Sequence, residues 1–237
     1  MEKLKKLHLG CGEKYLEGYI NIDYPQDHHS VMGVRADLYQ DITKLKYEPG
    51  SIDEVRSHHV FEHFERARAL ALLLNWRSWL RERGRLVVET PDFYNSSLKY
   101  ITSRSIKRRM ELGRHIFGSE EAHWAIHYDF WDKRKFKYIL GRLGFRKIRV
   151  KSYRNSFAKH YSHIPFSNLI GDILPKFIYQ RYGGVKLPNI LIECEKSGEN
   201  IDETKIIPEI LSMYLVGGED NKMLDVWMSQ FKDLRNE

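Results

Sequence analysis

Short apolar runs alternate with a longer helical pattern along the first two-thirds of the chain. Residues 6–9 and 19–23 are apolar and bounded by charged or glycine-containing stretches, the pattern of buried strands. Residues 31–37 predict a shorter third strand, and 52–57 a fourth entered through the Pro49-Gly50 turn. From 62 to 83 the period becomes helical. Leu70, Leu73, Leu74, Trp76 and Leu80 share a broad apolar face, and Gly84 supplies the C-terminal stop. Residues 85–89, with Leu86, Val87 and Val88 in a row, predict a fully buried strand ended by Thr90-Pro91. Such alternation predicts an α/β sheet covered on both faces.

Beyond Asp92 the pattern weakens. Residues 93 to about 130 are basic and aromatic without a clean period, and read as an irregular insertion. Residues 131–143 predict a helix closed by Gly144, 145–153 a strand, and 187–195 the last strand. The connection over 154–186 is too long for a structureless loop and is a second insertion. Within it, 157–182 mix bulky apolar residues with Lys159, Lys176 and Arg181. That mixture reads as a helical cover over an acceptor site, with a peripheral membrane contact as the alternative. Residues 219–234 place Met223, Val226, Trp227, Phe231 and Leu234 on one helical face, a docking helix within the chain or across a homodimer. The expected organisation is one domain over 1–196 and a helical extension over 197–237.

Composition narrows the class. A chain of 237 residues with 42% hydrophobic and 30% charged content is globular, and no apolar run reaches the roughly 18 residues of a membrane span. The opening Met1-Glu2-Lys3-Leu4-Lys5-Lys6 has no signal-peptide core, and Cys11 and Cys194 do not make a disulfide framework. A cytoplasmic setting is expected, with peripheral contact at the inner membrane face as a variant. The net charge of +7 reflects either solvated surface or an acidic partner. Lys99, Arg104, Lys107, Arg108, Arg109 and Arg114 gather around the single acid Glu111, which suits a phosphate on an acceptor. No recognised nucleic-acid module accompanies them, so nucleic acid is the less favoured partner.

The chemistry begins at Gly10-Cys11-Gly12, which ends one apolar run, and Asp23, which ends the next. Glycines admit a ligand close to the backbone, and an acid at the following strand tip accepts ribose hydroxyls. Lys14 stands where a third glycine would be, and Asp23 arrives far sooner than the roughly 20 residues of a dinucleotide site. The crossover helix between them is therefore expected to shrink to a turn or two.

Four segments in order give this pattern a family resemblance: Leu-His-Leu-Gly-Cys-Gly (7–12), Ile-Asn-Ile-Asp (20–23), the stretch 41–64 with Asp-Ile-Thr at its start and Ser-His-His-Val-Phe-Glu-His-Phe at its end, and Gly-Arg-Leu-Val-Val-Glu-Thr-Pro-Asp (84–92). Together they resemble class I S-adenosylmethionine-dependent methyltransferases, closest to small members found with surface-polysaccharide genes. The resemblance implies a doubly wound, Rossmann-like, mostly parallel sheet of seven strands with an inserted lid and a C-terminal helical extension. It implies S-adenosylmethionine as cofactor and S-adenosylhomocysteine as product. His8 and the Gly10, Cys11 and Gly12 turn would meet the methionine part and ribose, and Asp23 the ribose hydroxyls. Asp41 would take the adenine amine, the Ile42 backbone the ring nitrogen beside it, and His58 would border the sulfonium. Asp37 is a rival for Asp41, and each acid has a turn or cap role as its alternative.

Methyl transfer is an in-line displacement, and an alcohol acceptor needs its proton removed. Candidate bases are His59, Glu62, Asp92, His123, His127 and Asp129. His127 is preferred, oriented by Asp129 or Asp92, with Asp92 and His59 as the other catalytic candidates. His59, Glu62 and His63 also match the H-x-x-E-H spacing of zinc hydrolases, but no third ligand is evident in the sequence and no metal is expected. The expected activity is O-methylation of a sugar, glycan or related small-molecule hydroxyl, the acceptor phosphorylated or lipid-linked. The alternatives are a nucleic-acid methyltransferase and a non-catalytic S-adenosylmethionine-binding scaffold.

Overall fold

The computed structural model describes residues 4–28, 33–156, 186–217, 219 and 221–236. The strands are β1 (Lys6–Leu9), β2 (Ile20–Asp23), β3 (Leu38–Tyr39), β4 (Ile52–His58), β5 (Leu80–Pro91), β6 (Phe145–Ser156) and β7 (Lys186–Lys196). They form one sheet in the order β3-β2-β1-β4-β5-β7-β6, parallel except for β7, which runs antiparallel to both its neighbours. The expected seven-stranded Rossmann-like sheet is therefore present. Its direction of growth reverses between β1 and β4, the switch point outside which such folds bind ligands.

The helices are α1 (Arg66–Trp79), α2 (Phe93–Thr102), α3 (Ile106–Phe117), α4 (Lys133–Arg142), α5 (Glu203–Ser212) and α6 (Asn221–Asn236). Helix α1 buries residues on nearly every side, among them Ala69, Leu70, Leu72, Leu73 and Trp76. A helix apolar all round belongs in an interior, and α1 lies under α6. Phe231 and Leu234 of α6, with Ile207, Ile210 and Leu211 of α5, join the same core as the sheet. Arg235 fixes the end of α6 by bonding Glu203 and the Asn75 side chain. The C-terminal helix thus docks within its own chain.

Several sequence expectations need correction. The helix over 62–83 ends at Trp79, because Leu80 is taken into the sheet opposite Ile52. Residues 81–84 then form an irregularity before Arg85 rejoins β4, and Gly84 belongs to that step instead of capping a helix. The third strand is not at 31–37; it is the two-residue β3. The supposedly irregular stretch after Asp92 holds α2 and α3, both short and amphipathic. Between Gly12 and β2 no helix forms at all. The Asn21 side chain does the work instead, accepting from Leu16 N and donating to the carbonyls of Leu16 and Tyr19. The cover or membrane contact expected over 157–182 lies outside the described residues. Among those described, no helix is long and apolar enough to cross a membrane.

Candidate functional site

The turn after β1 is built by glycine. Gly10 has φ of +67° and Gly12 of +51°. A Cβ on Gly10 would sit 2.0 Å from Val60 Cγ2, so the residue after β4 closes on this turn only because there is no side chain. The amides of Gly10 and Cys11 donate to Ile22 O, and Gly12 N donates to Asp23 Oδ2 at 2.6 Å. Tyr24 N donates to the other Asp23 oxygen at 2.7 Å. Glycine turn and acid are one hydrogen-bonded unit at the carboxyl ends of β1 and β2.

Beside it lies a cleft of about 440 Å³ whose walls include Tyr24, Tyr39, Gln40, Asp41 and Trp124. Asp41 caps the 3-10 turn Ile42–Lys44, its Oδ1 accepting from Thr43 N at 2.9 Å and the Thr43 hydroxyl at 2.7 Å. The rival Asp37 is spent elsewhere, accepting from Asn21 N, Asn21 Nδ2 and the Tyr15 hydroxyl. These bonds hold its carboxyl below the usual range. Asp41 is therefore the acid at the cleft. Aromatic walls, an acid beside a buried Ile42, and an anchored Asp23 fit an adenosine group.

Two residues expected at the cofactor do other work. His8 is wholly buried, its Nδ1 within 3.1 Å of Asn21 Oδ1, and burial lowers its pKa to about 4. It is a core histidine behind the turn. Cys11 turns its thiol inward to Arg35 O, and burial pushes its pKa up to about 12. Only its backbone serves the turn. His58, at the end of β4, is held by Lys14 Nζ at 3.0 Å. Burial and that neighbouring ammonium lower its pKa to about 3. Lys14, a departure from the glycine pattern, thus bridges the turn to β4.

His59 has φ of +53° and sits between two carboxylates, with Nδ1 3.3 Å from Glu62 Oε1 and Nε2 3.1 Å from Glu89 Oε1. Burial opposes its charge, but the paired carboxylates outweigh it and raise the pKa to about 9. His59 is an imidazolium at neutral pH and has no lone pair to offer, which removes it from the candidate bases.

His127 is different. Its Nδ1 lies 3.1 Å from Ile116 O and so carries the proton, leaving the Nε2 lone pair 4.0 Å from Glu62 Oε1. Burial lowers its pKa and keeps the ring neutral. Neither acid expected to orient it does so. Asp129 accepts from Lys135 Nζ at 2.6 Å, and Asp92 caps α2 by accepting from Asn95 N and Nδ2. Asp92 is a helix cap whose oxygens are committed to Asn95. His123 is exposed at the rim of the cleft.

The sequence reading overlooked Glu89 and the approach of His63 to His127, whose rings lie 4.8 Å apart. For Glu89 a signal existed, because a charged residue inside the run Leu86 to Thr90 demands a buried partner.

No family model matches the chain, and no curated protein does. Similar solved structures include a SAM-dependent methyltransferase from Archaeoglobus fulgidus, at 15% identity over 81% of this chain and 86% of that one, with a TM-score of 0.46. Another is a SAM-dependent methyltransferase from Methanosarcina mazei, at 13% identity over 84% and 95%, with a TM-score of 0.45. The strand order, with antiparallel β7 between β5 and β6, is itself that of the class I methyltransferase fold.

Proposed function

We propose that this chain is an S-adenosylmethionine-dependent methyltransferase acting on an oxygen, a hydroxyl of a sugar, glycan or related small molecule. The observation that carries this reading is the Gly12 to Asp23 hydrogen bond beside the cleft that holds Asp41. Bound S-adenosylmethionine supplies a methyl group on a positively charged sulfur. Asp23 holds the ribose hydroxyls, Asp41 the adenine amine, and Tyr24 and Tyr39 border the ring. Lys14 and Asp23 offer opposite charges to the zwitterionic methionine end and the diol.

The acceptor oxygen must lose a proton as it gains the methyl. His127 is the neutral imidazole available for this, and the buried Glu62 carboxylate at 4.0 Å favours the charge that builds on the ring. His59, already protonated, is suited to hold Glu62 and Glu89 in place.

Arg104, Lys107 and Arg114 are exposed on and beside α3, which supports an acceptor carrying phosphate, free or lipid-linked. The polysaccharide setting follows from the family resemblance. Titration calorimetry with S-adenosylmethionine on the wild type and Asp23→Ala tests the cofactor half, and equal affinity would overturn it. Radiolabelled methyl transfer to a panel of sugars, nucleotide sugars and RNA tests the acceptor half.

A further inference from the structure

We propose that Glu62, His63 and His127 form a binding site for a divalent transition-metal ion of the zinc type, with a further coordination position left for an acceptor oxygen. Each residue offers one ligand atom, and the three atoms lie within 4.8 Å of one another. Donors about 2.0 Å from a tetrahedral zinc stand roughly 3.3 Å apart, so modest side-chain rotation closes the set.

Both histidines are already oriented as ligands. The Nδ1 of His63 lies 3.0 Å from Ile126 O and that of His127 3.1 Å from Ile116 O. Each nitrogen therefore donates to a carbonyl, which leaves both Nε2 lone pairs for a metal, the arrangement that outer partners impose in metal sites. The backbone brings the two loops together: Tyr128 N donates to Glu62 O and His127 N to Phe117 O, both at 3.0 Å.

Glu62 is the second, independent sign. It is 2% exposed, and neither side-chain oxygen makes a well-formed hydrogen bond among the described residues. Among the described residues its nearest ring nitrogen is His59 Nδ1 at 3.3 Å, and His59 is shared with Glu89. Two buried carboxylates, Glu62 and Glu89, thus face a single imidazole ring. One carboxylate and two imidazoles is also the donor set of open catalytic zinc sites, whereas magnesium would demand more oxygen.

The H-x-x-E-H spacing is thus used differently from a zinc hydrolase. His59 is sequestered, and His127 from a distant loop takes its place. The catalytic consequence rests on the methyl-transfer reading: a hydroxyl bound to the ion gives its proton to solvent more readily, and His127 then acts through the metal.

Metal uptake is measured on the full chain, stripped by a chelator and free of cofactor. Zinc chloride is titrated by calorimetry, and cobalt(II) by its visible absorption. One ion per chain is expected, with a tetrahedral-type cobalt spectrum. His63→Ala and His127→Ala should each weaken zinc by more than about 100-fold while melting like the wild type without metal. No stoichiometric uptake by the wild type, or wild-type affinity in either variant, would overturn the site. If uptake fails while methyl transfer still needs His127, the function stands and His127 is the direct base.

Discussion

Gly12 donates its amide proton to Asp23 at 2.6 Å, so the glycine turn and the acid proposed to hold the ribose are a single device. The few residues between them form no helix, and the Asn21 side chain holds their loop against β2. Replacing Asp23 by Asn keeps an acceptor for Gly12 but removes the charge. A hydrogen bond to a charged group is worth about 1.5–3 kcal/mol, so Asp23→Asn should bind S-adenosylmethionine roughly 10- to 100-fold more weakly. Its melting temperature should also fall, because the amide nitrogen cannot accept from Tyr24 N as the second carboxylate oxygen does. Calorimetry and a thermal melt on the same preparation separate the two effects.

Asp37 and Asp41 should differ in their effect on cofactor binding. Asp37 serves Asn21 and Tyr15, whereas Asp41 faces the cleft. Asp37→Ala should cost about 1 kcal/mol, limited because water reaches that exposed carboxylate and can replace it. It should leave cofactor affinity nearly intact. Asp41→Ala should weaken the cofactor about 10-fold and, by removing the cap of Ile42–Lys44, also cost about 1 kcal/mol in urea unfolding. Equal effects of the two on affinity would remove Asp41 from the adenine role.

How much of this was legible beforehand depends on the range of the interactions. The apolar runs at 6–9, 52–57 and 85–89 became strands because burial on both faces of a sheet writes itself into local sequence. Leu80 carries a helical signal because Arg81 to Arg83 continue a helix-friendly pattern, and the pairing with Ile52 overrides it. Asp23 was legible since it ends its own strand. His59 was not, because its charge is decided by Glu89 on the neighbouring strand. The meeting of His63 with His127 lay further out of reach, since it depends on the fold-back after α3.

The buried His8 should make the protein acid-sensitive. Its folded pKa is lowered to about 4, against 6.5 for the free side chain. The unfolded chain therefore binds a proton below pH 6.5 that the folded chain refuses until about pH 4. The neutral histidine's contribution is complete above 6.5 and is lost as pH falls through that window. At pH 5 the loss is about 2 kcal/mol relative to pH 7.5. His8→Leu removes this titration, and Asn21 Oδ1 keeps Leu16 N as a donor. Urea unfolding at the two pH values should show the variant losing about 2 kcal/mol less than the wild type.

Lys135 and Asp129 form a buried pair beneath the His127 loop, with a second bond from Lys135 Nζ to Phe130 O at 2.7 Å. Lys135→Met preserves the aliphatic stem but strands the carboxylate. Breaking one side of such a pair costs about 3–5 kcal/mol, because the remaining charge stays buried. The double variant Lys135→Met with Asp129→Leu should recover most of that loss. Chemical denaturation of the three variants gives the coupling directly.

Gly118 is the hinge on which the candidate catalytic loop turns. Its φ is +101°, and an added Cβ would lie 2.2 Å from Ala125 O and 3.0 Å from His127 N. The loop returns over this glycine through a bridge between Gly118 and Ile126, and so delivers His127 to Glu62. In Gly118→Ala either the strained backbone or the bridge must give, at a cost of about 1–3 kcal/mol. The cheaper escape is to push residues 125–127 outward, which separates His127 from Glu62 and leaves Asp41 on the far wall of the cleft in place. Gly118→Ala should therefore lower kcat at least about 10-fold, with a smaller loss of S-adenosylmethionine affinity through the neighbouring Trp124. Unchanged turnover in a variant with a lowered melting temperature would mean that the position of His127 does not govern the reaction.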